Sequence, residues 1–143
     1  MEQNRPLGWT TLEEAKKLVE AGLDTNTADM CFAKAHLADV DMFAIDTAPY
    51  SETIEAKDYD DIWEISPCWS LGALKKFIPD EIKVNDVWFY FYCSYNWIRK
   101  WCASYVDENF SRLVRFNMFS SQIEMFNQIV LFLLENNHIK KHE

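Results

Sequence analysis

After Thr11, apolar residues recur at three- and four-residue spacing: Leu12, Ala15, Leu18, Val19 and Leu23 share one side of a helix, and Gly22 is placed to end it. Thr11-Leu12-Glu13-Glu14 has the capping-box form, in which hydroxyl and carboxylate each satisfy a backbone N–H at the helix start. Asn26 caps a second predicted helix over Thr27 to Leu37, with Ala28, Cys31, Phe32 and Ala35 on one face. Met42 to Ile45 reads as a short strand, and Ala48-Pro49-Tyr50-Ser51 as a turn. Ser66-Pro67 reads as a cap followed by a first-turn proline. It opens a helix to Ile78 with Leu71, Leu74, Phe77 and Ile78 inward, stopped by Pro79.

The pattern then changes period. Val84 to Ser94 and Trp97 to Val106 are dense in aromatic and β-branched residues, which predicts a β-hairpin turning at Tyr95-Asn96. Leu113 to Met118 adds a third strand after the polar break at Asp107-Glu108-Asn109. A second capping box, Ser121-Gln122-Ile123-Glu124, opens a helix carrying Ile123, Phe126, Ile129, Val130, Leu133 and Leu134 on one broad face, closed by Asn136-Asn137. The sum is an α+β fold: a small antiparallel sheet of two to four strands around a central β-hairpin, packed with three to four helices in a single domain over residues 1–143. Residues 138–143 are expected to form a mobile tail.

Composition refines this picture. The chain has 143 residues, half of them apolar, and 22 are Phe, Trp or Tyr, enough for a ring-rich core without disulfides or metals. The longest apolar runs, Val87 to Cys93 and Ile129 to Leu134, fall far short of the roughly 20 residues of a membrane-spanning helix, so no membrane partner is expected. The first residues lack the basic start and apolar stretch of a secretory signal, so the mature chain is expected to begin near Met1. With four cysteines and no such signal, reduced thiols and a cytoplasmic location are expected.

The net charge of -9 disfavours direct binding to nucleic acid, which depends on Lys and Arg displacing counterions. Most of the charge is local: Asp39 to Glu64 holds nine acidic residues against Lys57 alone. Asp58, Asp60, Asp61 and Glu64 form a candidate acidic patch for a basic partner, against the plainer reading of a solvated loop. Asp58-Tyr59-Asp60-Asp61 lacks the glycine and later glutamate of a calcium-binding EF-hand loop.

No phosphate-cradling glycine loop, His-Glu-x-x-His, Cys-x-x-Cys or nucleophile-elbow pattern occurs. Cys31 and His36, five apart on a predicted helix, point to different faces and make no metal pair, so neither metal nor cofactor is expected. Cys68 falls in the first turn of a predicted helix, where the dipole lowers a thiol's pKa; it is a candidate reactive thiol, weighed against a buried apolar cysteine. With the turn at Tyr95-Asn96, Cys93 would face Ile98 and Cys102 would face Phe89, which disfavours a hairpin disulfide. That register points Phe89, Phe91, Cys93, Ile98 and Cys102 to the core. Trp88, Tyr90, Tyr92, Arg99, Trp101 and Tyr105 form the other face, a candidate binding surface of ring and guanidinium groups, unless a helix covers it too.

Three stretches, Thr27-Ala28-Asp29-Met30, Pro67-Cys68-Trp69-Ser70-Leu71-Gly72-Ala73-Leu74 and Leu133-Leu134-Glu135-Asn136-Asn137, together resemble a group of small uncharacterised proteins of Bacteroides-type gut bacteria and their prophages or mobile elements. The resemblance covers about a fifth of the chain and departs at Lys75-Lys76-Phe77, where further aliphatic residues are expected. It implies a bacterial or phage origin and a cytoplasmic setting, and it carries over no catalytic residue.

The leading expectation is a non-enzymatic accessory or interaction protein that binds another protein through the aromatic face or the acidic segment. The alternative is a small enzyme or ligand-binding domain with a pocket between sheet and helices, using Cys68, His36 and nearby acids. A homodimer pairing exposed hairpins is a third reading.

Overall fold

The computed structural model describes residues 8–37, 40–46, 49–53 and 62–142, with backbone alone for 35–37, 40–46, 53, 62 and 63. In chain order the elements are α1 (Leu12–Glu20), a 3₁₀ turn (Thr25–Thr27), β1 (Met30–Leu37), β2 (Val40–Asp46) and α2 (Tyr50–Thr53). There follow β3 (Ile62–Cys68), α3 (Leu71–Lys75), β4 (Glu81–Val84), β5 (Val87–Tyr95), β6 (Trp101–Val106), β7 (Arg112–Phe119) and α4 (Gln122–Glu135). Two antiparallel sheets result, one ordered β2-β1-β3 and one ordered β4-β5-β6-β7, so the fold class is α+β.

The first capping box forms as its sequence requires. Thr11 Oγ1 accepts from the Glu14 N–H at 3.1 Å, while the Thr11 N–H donates to Glu14 Oε1 at 2.9 Å. Such a cap stabilises a helix by about 1 kcal/mol. Ala15 and Leu18 are buried from α1. Gly22 ends it at φ +106°, a conformation that suits glycine.

The segment expected to be a helix over Thr27 to Leu37 is instead the 3₁₀ turn and then β1. β1 is the central strand of its sheet, and Met30, Cys31 and Phe32 are all buried in succession. A strand covered on both faces has no period-two pattern, and its apolar run mimics one side of a helix.

The cap expected at Ser66-Pro67 is also displaced. Pro67 belongs to β3, an edge strand that tolerates a missing N–H. The true cap is Ser70: its Oγ accepts from the Ala73 N–H at 3.1 Å, and its own N–H donates to Asp29 Oδ1 at 2.8 Å.

The four-stranded sheet departs from expectation in register. An unforeseen tight turn at Asn85-Asp86, with φ of 51° and 65°, separates β4 from β5 and has the left-handed residues that two-residue hairpins require. The β5–β6 connection is longer than Tyr95-Asn96. Asn96 organises it: its Oδ1 accepts from the Lys100 N–H, and its carbonyl accepts from the Arg99 N–H, both at 2.9 Å. Cys93 therefore faces Ala103 rather than Ile98, a slip of five positions. Because side chains alternate with period two, an odd slip moves every β6 residue to the opposite face.

α4 lies against the inner face of this sheet and against α1 and α3. It buries Ile123, Met125, Phe126, Ile129, Val130, Leu133 and Leu134, an apolar surface wrapping most of the helix, as a layer between two neighbours needs. One core cluster joins these residues to Leu18, Trp69, Leu74, Ala103, Tyr105 and Phe116. A smaller cluster of Met30, Phe32 and Cys68 sits under the three-stranded sheet.

The C-terminal tail makes contacts at several points. The His138 N–H donates to Leu133 O at 2.8 Å, Ile139 packs on the core, and the His142 N–H donates to Gly22 O at 2.7 Å. No helix among the described residues is long and apolar enough to cross a membrane.

Candidate binding face

Helix α4 packs on the inner face of the four-stranded sheet at β6 and β7, while Cys93 and Tyr95 at the far end of β5 stay exposed on that side. The outer face holds Trp88, Tyr90 and Tyr92 from β5, which alternate with the inward Phe89 and Phe91. Their exposures are 44%, 43% and 57%, large for rings of this size in regular structure. From Trp88 to Tyr92 the stripe runs about 13 Å along the strand.

The six residues expected to share this face do not all do so. Tyr105 is fully buried on the inner side, 5.4 Å from the Phe91 ring, and its hydroxyl donates to Pro79 O at 2.8 Å. Burial pushes its phenol above the ordinary range. Trp101 is also inward, half-buried against the core with its ring 4.7 Å from Tyr95. Arg99 occupies the hairpin turn at φ 61° and is exposed at the tip. The five-position slip accounts for Trp101 and Tyr105; it also turns Cys102, expected in the core, to the outer side.

In their place the outer face receives residues that the expected register left out. Beside Tyr92, which was expected on this face, Ser94, Asn96, Cys102, Ser104, Arg112, Arg115 and Asn117 line a groove of about 240 Å³. Its floor is polar and connected: Asn96 Nδ2 donates to Cys102 Sγ at 3.6 Å, Cys102 Sγ donates to Asn117 Oδ1 at 3.1 Å, and Arg115 Nη2 approaches the same oxygen at 3.4 Å. The signal was present in β7, where Arg115 and Asn117 alternate with Val114 and Phe116. Without the true β6 register it could not be assigned to a side. Beyond Trp88 and Tyr90, Asp86, Asp107 and Glu108 line a second hollow of about 370 Å³.

Both ends of the sheet carry exposed apolar groups. Trp97 is 92% exposed in the β5–β6 turn. Phe110 projects from the β6–β7 loop, where Asp107 Oδ1 accepts from the N–H groups of Asn109 and Ser111 at 2.9 Å.

The candidate thiol is differently placed. Cys68 ends β3 rather than starting a helix, and it is fully buried. Thr10 Oγ1 donates to its sulfur at 3.7 Å, and the thiol donates to Thr10 O at 3.5 Å. Burial pushes the Cys68 thiol up to about 11. Cys68 faces Met30 in register, and His36 lies six residues further along β1, about 20 Å away. The fold therefore does not bring this pair together.

Two outcomes follow for the thiols. Iodoacetamide at neutral pH is expected to modify the exposed Cys93 while leaving Cys68 unmodified until the chain unfolds, as read by mass spectrometry. Cys68 also makes stability depend on alkaline pH. Its folded pKa of about 11 lies above the 9.0 of an unperturbed thiol, so its contribution is complete below pH 9 and is lost as pH rises through 11. Tyr105, also raised, acts in the same direction. Denaturant midpoints measured from pH 8 to 11 should fall, and Cys68→Ala should flatten the slope.

Of the candidate acidic patch, Asp58, Asp60 and Asp61 lie outside the described residues. Glu64 is exposed on β3, opposite Lys34 in register. Among the described residues no group of three or more His, Cys, Asp or Glu is arranged to hold a metal ion.

No family model, curated protein or solved structure matches this chain.

Proposed function

We propose that this chain is an interaction protein that docks another protein on the outer face of its four-stranded sheet. The observation that carries the reading is the exposed stripe of Trp88, Tyr90 and Tyr92 beside a polar groove. Domains are built from packed layers, and a sheet face left open with three large rings on it offers apolar area for a further layer. Tyr, Trp and Arg supply most binding energy at protein interfaces, because rigid amphipathic groups bury much area with little lost freedom. The alternative of a thiol enzyme loses its arrangement, since Cys68 is buried and remote from His36 along β1.

The experiment is affinity capture by the tagged chain from lysate of its host, read by mass spectrometry, with Tyr92→Ala and Trp88→Ala alongside. A specific partner retained by the wild type and lost by both folded variants supports the reading. A partner retained equally by all three places the contact elsewhere.

A further inference from the structure

The outer face carries a charge pattern that its aromatic stripe does not explain. Where β7 enters the sheet, Tyr105 faces Val114 but Val106 faces Arg112, which leaves Leu113 as an extra residue. Leu113 packs on the core. Strand alternation would put residues three apart on opposite faces, and this bulge instead brings Arg112 and Arg115 to the same outer face. Among the described residues neither guanidinium has a carboxylate within salt-bridge distance. The 3.4 Å approach of Arg115 to Asn117 leaves most of its donor fork free. At the Trp88 end of the stripe the lining groups are instead Asp107 and Glu108. Lys83 Nζ lies over the Trp88 ring but pairs with Asp86 at 3.8 Å, so the face is positive beside Tyr92 and net negative beside Trp88.

We infer, building on the docking reading above, that the partner presents an acidic peptide segment with a carboxylate in the groove between Arg112 and Arg115. A guanidinium offers paired N–H donors that match the two oxygens of a carboxylate, and two such groups on one wall fix its position. The groove floor at Ser104 and Cys102 is made of small side chains, which gives an acidic side chain room to reach the arginines. The negative end sets direction, because like charges placed together are repelled. The segment's acids sit at the Tyr92 end, and a neutral or basic residue lies about four positions away over Trp88. A nucleic-acid strand fits less well: it carries a charge at every step and would lay phosphates over Asp107 and Glu108.

The test exposes the immobilised full chain to a displayed library of random dodecapeptides, with Arg112→Gln/Arg115→Gln and Tyr92→Ala as parallel baits whose fold is checked by circular dichroism. Retained peptides should carry Asp or Glu toward one end only. A synthetic copy of the strongest should bind the double-glutamine variant about tenfold more weakly or worse. Acid-free peptides, or acidic ones held equally by the double variant, overturn the inference; if Tyr92→Ala still abolishes their binding, the docking reading stands. Peptides indifferent to both variants, or none retained, count against both. An oligothymidylate strand bound more tightly than any peptide through Arg112 and Arg115 overturns it in favour of nucleic acid. A dimeric mass in solution that Tyr92→Ala returns to monomer overturns it in favour of a second copy of the chain.

Discussion

Replacing Trp69 with alanine is expected to lower the unfolding free energy by about 3–5 kcal/mol, the range for deleting a large buried ring. Trp69 is fully buried and is among the largest side chains in the core. Its indole N–H donates to Thr27 Oγ1 at 3.0 Å, which ties the start of α3 to the turn preceding β1. Its backbone N–H donates to Thr10 Oγ1 at 3.1 Å, and its carbonyl accepts from the Thr10 N–H at 2.9 Å. Alanine keeps the backbone pairs and removes both the ring and the indole bond. Trp69→Phe, which keeps most of the ring volume, should lose only about 1–2 kcal/mol. Small domains have a total stability of about 5–15 kcal/mol, so the alanine variant approaches the limit of folding. Urea unfolding followed by circular dichroism reads both values. A loss below about 1 kcal/mol for Trp69→Ala would mean that this ring does not anchor the core.

The second large effect falls on binding rather than folding. Tyr92→Ala is expected to weaken partner binding by roughly thirtyfold or more, which corresponds to about 2 kcal/mol at an interface hot spot. Tyr92 is 57% exposed in the free chain, so its loss should change stability by no more than about 0.5 kcal/mol. Trp88→Ala should behave similarly with a slightly larger folding cost. Lys83 Nζ sits 5.6 Å from the Trp88 ring centroid, a cation–π contact of about 0.5–1 kcal/mol at an exposed site. Tyr105→Ala is the contrast: its ring belongs to the core, and its main effect should be on stability. Titration calorimetry with the captured partner, beside urea unfolding of each variant, separates the two classes.

That contrast also shows where sequence reading reaches its limit. Elements that carry their own local signals were legible. The capping box at Thr11 and the broad apolar face from Ile123 to Leu134 give α1 and α4, and the aromatic and β-branched runs give strands β5 to β7. β1 was not legible, because a central strand buried on both faces presents Met30-Cys31-Phe32 without alternation, while Ala33, Lys34 and Ala35 have good helix propensity. Pro67 misled because a proline after serine suits a helix start as well as an edge strand.

The candidate site was half legible for a related reason. Trp88, Tyr90 and Tyr92 lie on one strand, and alternation alone groups them. Trp101 and Tyr105 lie on the next strand, and their side depends on the length of the connecting turn. Asn96 caps a longer turn than the shortest one its sequence permits, and that difference carried two rings into the core. Arg112 and Arg115 required one more tertiary fact, the bulge at Leu113, which no local spacing announces.

Hydroxyl-radical footprinting of the free chain, read residue by residue by mass spectrometry, tests directly whether the outer sheet face is open. Tyr92 and Trp88 should be oxidised rapidly, with Trp97 as an exposed reference and Tyr105 and Trp69 as protected ones. Addition of the partner should then protect Tyr92 and Trp88. Protection of Tyr92 and Trp88 to the level of Tyr105 in the free chain would show that the outer face is already covered and would contradict the docking surface.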